Sequence, residues 1–351
     1  MTEHPAHIKP PAEPWAETIE QEAIVEPVEP LLEPLHSWRG LVRRFGVLAV
    51  GEGFAQLCGF VAVIIMARKL DPHGFGLVTL GTTLVVWFAL FADSGTEVLN
   101  IRDISRRPDH FKRLAEPVLG LRLALSVIAI ALLGCAAILA SDRTSDRYVL
   151  WLFALCLPML ALNLRWMVLG VRGAKSVALG NVAGRLLLMV GVILFVHSVG
   201  DTLVVPVLLA GAELVYAMVV LAAVTRRFGI IRPRVDVAKW RETLEHSWPL
   251  MLNQLARATV YSFDILLVAI MLGREEVGFY GAAAKPVLFL SGALGLFYIS
   301  FLTSYSTAGS RHAGPLFRRT VTSATAATTI VAAIVAAAAP LIVVLLSLIH
   351  I

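Results

Sequence analysis

Long apolar stretches alternate along the chain with short polar ones. Apolar runs near 45–66, 74–94, 115–139, 148–171, 176–198, 202–224, 247–270, 278–302 and 320–348 each approach or exceed the roughly 20 residues that carry a helix across a bilayer core. The pattern predicts nine membrane-spanning helices and an all-α polytopic membrane protein. The stretch from Glu245 to Ser291 shows it most clearly: two apolar runs joined by a polar turn at Arg274–Glu276. In the first run Gln254, Arg257, Tyr261 and Asp264 recur at i, i+3, i+7 and i+10, which places them on one helix face. Lys285 interrupts the second run. Ionisable groups at membrane depth cost several kcal/mol unless they face a cavity or a partner. The stripe is therefore expected to point inward, either to fix packing by pairing or to serve a site.

Composition narrows the class. The 351 residues are 58% hydrophobic and only 16% charged, which excludes an ordinary soluble domain. Cys58, Cys135 and Cys156 lie inside apolar runs without paired spacing and read as small buried hydrophobes. Residues 1–36 hold eight glutamates, one lysine and seven prolines, the composition of a disordered acidic tail. The whole chain carries +5, so the remainder is strongly basic.

The positions of those basic residues argue for membrane orientation and against a nucleic-acid partner. They cluster in alternate intervals: Arg102, Arg106, Arg107, Lys112 and Arg113; Arg172 and Lys175; Arg226, Arg227, Arg232, Arg234, Lys239 and Arg241; Arg311, Arg318 and Arg319. The intervals between them, such as 141–147, are short and nearly neutral. The positive-inside rule then places the amino terminus and every even-numbered interval in the cytoplasm. Arg43 and Arg44 agree, and Arg68 with Lys69 is the exception.

A shift of 204 residues lays His73-Gly74-Phe75-Gly76 on Val277-Gly278-Phe279-Tyr280 and the first span on the seventh. Six spans per repeat is an even number, so both copies insert alike, as parallel repeats about an axis along the membrane normal. The expected organisation is a cytoplasmic tail at 1–36, a six-helix bundle at 37–241 and a second bundle at 242–351. Only the first three helices of the second bundle fall within this chain, so that bundle is expected to be incomplete. The substrate path would run through a central cavity between the two.

Depth along the spans ranks the buried charges. Glu52, Arg185, Glu213 and Arg257 lie about 11 to 14 residues from the outer face, near the bilayer centre. Asp264 and Lys285 lie about 6 and 7 residues in, so the sequence predicts an ion pair across their hairpin. Arg185 and Glu213 stand in the same relation on spans five and six. Glu52 and Arg257 come from opposite repeats and would meet only across the cavity. Arg122 and Arg165, about seven residues from the cytoplasmic edge, either line a basic vestibule or anchor at the headgroups. Pro158, Pro206, Pro249 and Pro286 are expected kinks. No Walker loop, metal-ligand cluster or nucleophile motif is present.

The run Asp264-I-L-L-V-A-I-M-L-Gly273-R-E-E-V-Gly278-F-Tyr280-G-A-A-A-Lys285 and the segment Ala67-Arg68-Lys69-Leu70-Asp71-Pro72-His73-Gly74-Phe75-Gly76 resemble bacterial oligosaccharide flippases. That polysaccharide biosynthesis, or O-antigen translocase, family belongs to the multidrug/oligosaccharidyl-lipid/polysaccharide exporter superfamily. The resemblance covers about residues 38–310, with Asp71 standing where many members have glycine. It implies a non-enzymatic flippase of the bacterial cytoplasmic membrane, without a cofactor. Such a protein moves polyprenyl-pyrophosphate-linked oligosaccharide to the outer leaflet by alternating access. Its partners would be that substrate, membrane lipids and a coupling cation, H+ or Na+. In this frame Arg257, Arg185, Arg165 and Arg122 are the candidate substrate-binding residues, and Glu52, Glu213, Asp264 and Lys285 the candidates for coupling or gating. An organic-cation exporter of the same superfamily is the competing reading, opposed by Arg185 and Arg257. A membrane glycan ligase or polymerase is opposed by the short outward intervals.

Overall fold

The computed structural model describes residues 38–106, 111–170 and 174–307, with scattered helical positions between 322 and 337. The expected acidic tail, most of the ninth span, and Arg107, Arg172, Arg311, Arg318 and Arg319 lie outside the described residues. Within them every element is helical, and seven segments between Val50 and Met271 are long and apolar enough to cross a membrane.

Local signals set the helix ends. α1 (Trp38–Lys69) and α2 (Pro72–Asp93) meet at a tight turn. There the Asp71 carboxylate accepts the Gly74 N–H at 2.7 Å and Pro72 opens α2. Proline is well placed there, because a helix leaves its first N–H groups unbonded. α2 ends at Ser94 and Gly95, both left-handed (φ 48° and 75°). The chain then bends into α3 (Thr96–Arg106), where a cytoplasmic loop was expected. Asp93 starts this helix by accepting the Glu97 N–H and the Thr96 hydroxyl, both at 3.2 Å.

α4 (Phe111–Ala140) is continuous, whereas the fourth expected span is broken. It forms α5 (Thr144–Leu152), a 3-10 turn (Phe153–Leu155), α6 (Cys156–Leu162) and α7 (Arg165–Gly170). Pro158 has no N–H for the Ala154 carbonyl, and its ring crowds that same carbonyl, so the regular ladder fails one turn upstream. Asn163 is extended and its side-chain oxygen accepts the Arg165 N–H at 3.1 Å, restarting the helix. α8 (Ala174–Phe195), α9 (Val204–Phe228), α10 (Val237–Met271) and α11 (Arg274–Thr307) follow. Between α8 and α9, Asp201 accepts the backbone N–H groups of His197 and Ser198 and the Ser198 hydroxyl. These donors hold its carboxyl below the ordinary range.

The turns gather at two ends. One, the hairpin end, brings together Leu70–Pro72, the 140–147 turn, the 198–203 turn and Gly273. His73 lies 3.2 Å from Asp146 there, and Arg274 donates to the Ala140 carbonyl. The other, the elbow end, holds the α2–α3 bend and the segment from Gly229 to Asp236. That segment is strapped to α4: the Arg234 N–H donates to the Glu116 carbonyl at 3.0 Å, and the Trp240 indole to the Pro117 carbonyl at 2.9 Å.

Two apolar cores fill the bundle, the first of them extending to Ile265 of α10 and Val277 of α11. One lies towards the hairpin end around Leu70, Leu133, Leu150 and Phe153. The other lies towards the elbow end around Ile104, Leu164, Trp166 and Val224. Between them, helix after helix turns polar: Arg122 on α4, Asn163 and Arg165 at the α6–α7 break, Asn181 and Arg185 on α8, Glu213 on α9. α10 and α11 pack chiefly against α2.

Candidate functional site

The polar layer encloses a cavity of about 290 Å³. Four carboxylates (Glu52, Asp93, Glu97, Glu213) and three guanidiniums (Arg122, Arg165, Arg185) line it. Each arginine has its own acid. Arg122 lies 3.0 Å from Asp93, with both side chains under a tenth exposed. Arg165 lies 2.7 Å from Glu97, and Arg185 lies 3.9 Å from Glu213. Glu52 has no basic partner among the described residues and accepts the Asn181 amide at 2.6 Å. The cavity is thus close to electroneutral, with one carboxylate in excess.

Asp93 is the busiest group in it. Besides Arg122, Thr96 and Glu97, it receives the Gln254 amide at 3.4 Å, a bond that reaches from α10 to the α2–α3 elbow. At mid-helix the Trp87 indole donates to the Ser262 hydroxyl at 3.1 Å, also joining α2 to α10.

A second cavity, of about 420 Å³, lies between α2, α10 and α11 and shares Leu90 and Gln254 with the first. Its polar lining is Thr82, Thr83, Gln254, Arg257, Tyr261, Ser262 and Lys285. Among the described residues it has two cationic side chains and no carboxylate. Neither Arg257 nor Lys285 has a hydrogen-bond or ion-pair partner among the described residues.

The structure therefore brings together Glu52, Arg122, Arg165, Arg185 and Glu213 in one cavity, and Arg257 with Lys285 in another. Two expected pairs do not form. Glu52 and Arg257 share a depth but not a facing direction, since Glu52 meets α8 while Arg257 lies between α2 and α11. Asp264 accepts the Tyr280 hydroxyl rather than pairing with Lys285. The α10–α11 turn is shorter than the apolar runs suggest. Asp264 lies about two helical turns before it and Lys285 about three turns after it, so they are offset by one turn along the hairpin. The expected stripe of Gln254, Arg257 and Tyr261 does face one cavity, without Asp264. Arg122 and Arg165 both line the first cavity, each held by an acid of the elbow, Arg122 buried and Arg165 half-exposed. Those acids, Asp93 and Glu97, were missed. Their i, i+4 spacing in an otherwise arginine-rich interval, at the depth of Arg122 and Arg165, was the available signal.

Antiparallel apolar helices around a buried layer of charge define a multi-pass membrane protein. The fold is similar to that of a multidrug resistance MATE family transporter of the MOP superfamily, solved in an inward-facing conformation. The TM-score is 0.56 at 17% sequence identity, covering 84% of this chain and 73% of that one, a likeness of fold. Residues 41–305 match the polysaccharide biosynthesis protein family, and the chain belongs to that family. No curated protein matches it.

Proposed function

We propose that this chain is a flippase that carries a lipid-linked oligosaccharide across the bacterial cytoplasmic membrane, its elbow end facing the cytoplasm. The observation that carries the reading is the second cavity, whose described lining holds two unpartnered cations and no acid. A pyrophosphate headgroup is the complementary cargo. The Arg257 guanidinium would bind two phosphate oxygens through its planar fork, and Lys285 would add a point charge. The Tyr261 hydroxyl suits a remaining oxygen, while those of Thr82, Thr83 and Ser262 donate to helix carbonyls and would have to turn to reach the cargo. Arg122, Arg165 and Arg185 are already matched by acids and serve better to hold the first bundle rigid. The family match supports a role in glycan export.

Movement would follow alternating access, with α10 and α11 rocking against α2. Glu52, the carboxylate without a basic partner, is the candidate for taking up H+ or Na+. An organic-cation exporter would place acids in the second cavity, and none lines it.

In a host strain deleted for this gene, Arg257→Gln and Lys285→Gln should insert normally and fail to restore surface polysaccharide, with Arg257→Lys intermediate. Glu52→Gln should retain binding and lose dependence on the ion gradient. Polyprenyl pyrophosphate should raise the melting temperature of the purified protein but not of Arg257→Gln. Stabilisation by tetraphenylphosphonium in place of the pyrophosphate would transfer the protein to the organic-cation class.

A further inference from the structure

Sequence reading left Arg274 as part of a polar turn, and the cavities do not use it. Its placement is specific nonetheless. It opens α11 directly after Gly273, whose φ of 139° favours glycine. The guanidinium donates to the Ala140 carbonyl at the end of α4 and, at 3.3 Å, to the Ala269 carbonyl near the end of α10. It thus sits between two helix C-termini, where partial negative charge accumulates and a cation is favoured. Asp146, buried on α5, faces the same guanidinium electrostatically and is held by His73 and the Ser141 hydroxyl.

Beneath this group, α2 and α11 approach backbone to backbone at two glycines. A Cβ on Gly76 would strike the Arg274 carbonyl, and one on Gly278 would strike the Pro72 carbonyl. A Cβ on Gly281 would lie 2.7 Å from the Thr79 side chain. Helices approach this closely only where side chains are absent, and contact of this kind leaves no passage for a ligand. The second cavity lies further along these same helices, so its route to the hairpin end is closed at this seam.

We infer that Arg274 is the latch of the transport cycle at the hairpin end, tying the α10–α11 hairpin to α4 and α5 and keeping the α2–α11 seam shut. Release of the guanidinium from the Ala140 carbonyl is the step that opens the second cavity to the outside. This assignment rests on the transport reading above but not on the identity of the cargo. Arg274 is a positioning residue, acting on access rather than on binding.

The test is the rate at which a membrane-impermeant maleimide, added to intact cells, labels Thr83→Cys in the second cavity. The background carries alanine at Cys58, Cys135 and Cys156. Arg274→Gln should raise the labelling rate about tenfold, the change expected when the open population rises by that factor. Arg274→Lys keeps the charge but loses the fork that spans two helix ends, and should give a smaller rise. Asp146→Asn, which removes the facing charge, should act in the same direction. Glu275→Gln alters the neighbouring charge by the same amount and should label at the wild-type rate. If Arg274→Gln is not produced, Arg274→Lys and Asp146→Asn decide the matter. Wild-type labelling in both would overturn the latch, as would an equal rise in Glu275→Gln. Faster labelling combined with normal surface polysaccharide in Arg257→Gln would leave the latch standing and remove the cargo site.

Discussion

At the scale of single residues, the most exacting position is Asp93. It neutralises a buried guanidinium, starts α3 and receives Gln254 from α10. Removing one partner of a buried ion pair leaves an uncompensated charge, at a cost of about 3–5 kcal/mol. Asp93→Ala should therefore lower the melting temperature of the detergent-purified protein sharply and reduce folded yield. The double replacement Asp93→Leu with Arg122→Met removes both charges and should recover most of the loss. A double variant as unstable as the single one would mean that the hydrogen bonds to Thr96 and Glu97, rather than the pair, carry the stability. This residue also shows where sequence reading stopped. Period and depth place Arg185 and Glu213 at one level and Arg122 nearer the cytoplasmic edge, and the structure lines one cavity with all three. Depth does not give the azimuth at which a helix face meets its neighbours. That is why the sequence pairs Glu52 with Arg257 rather than with Asn181; Lys285 and Asp264 part for a different reason, the short α10–α11 turn that offsets them along the hairpin.

At the scale of elements, apolar run length was a sufficient guide wherever one helix crosses uninterrupted, as α2, α4, α8 and α9 do. It failed where a local backbone event overrides hydropathy. Pro158 breaks the fourth span, and the left-handed pair at Ser94 and Gly95 turns a presumed loop into α3. Such breaks cost little in composition and are invisible to a window average. Close packing is equally silent in hydropathy. Gly76 and Gly278 both count as neutral, yet their bare backbones set the α2–α11 approach. Gly278→Val should destabilise the purified protein well beyond Gly211→Val, since nothing lies within 4 Å of a Cβ on Gly211. The two share the same helical propensity change, so their difference in melting temperature isolates the contact. Equal melting temperatures would show that the seam tolerates side chains.

At the scale of the molecule, alternate polar intervals occupy opposite ends, with residues 226–241 at the elbow end. Cysteines at Ser145 and Gly200 should react with impermeant reagent in intact cells, and cysteines at Val235 and Lys239 only after permeabilisation. Reaction of Val235→Cys in intact cells would invert the proposed orientation. The stacking of two apolar cores about a charged layer carries an electrical consequence. A transmembrane potential falls where polarisability is lowest, and on the hairpin side of the layer that region is the core around Leu70, Leu133 and Phe153. A charge carried from the layer to the hairpin end would cross that dielectric step and do work of about 2.3 kcal/mol per elementary charge for each 100 mV dropped there. The proposed cycle would therefore be sensitive to voltage in proportion to whatever charge the cargo and its counter-ion fail to cancel.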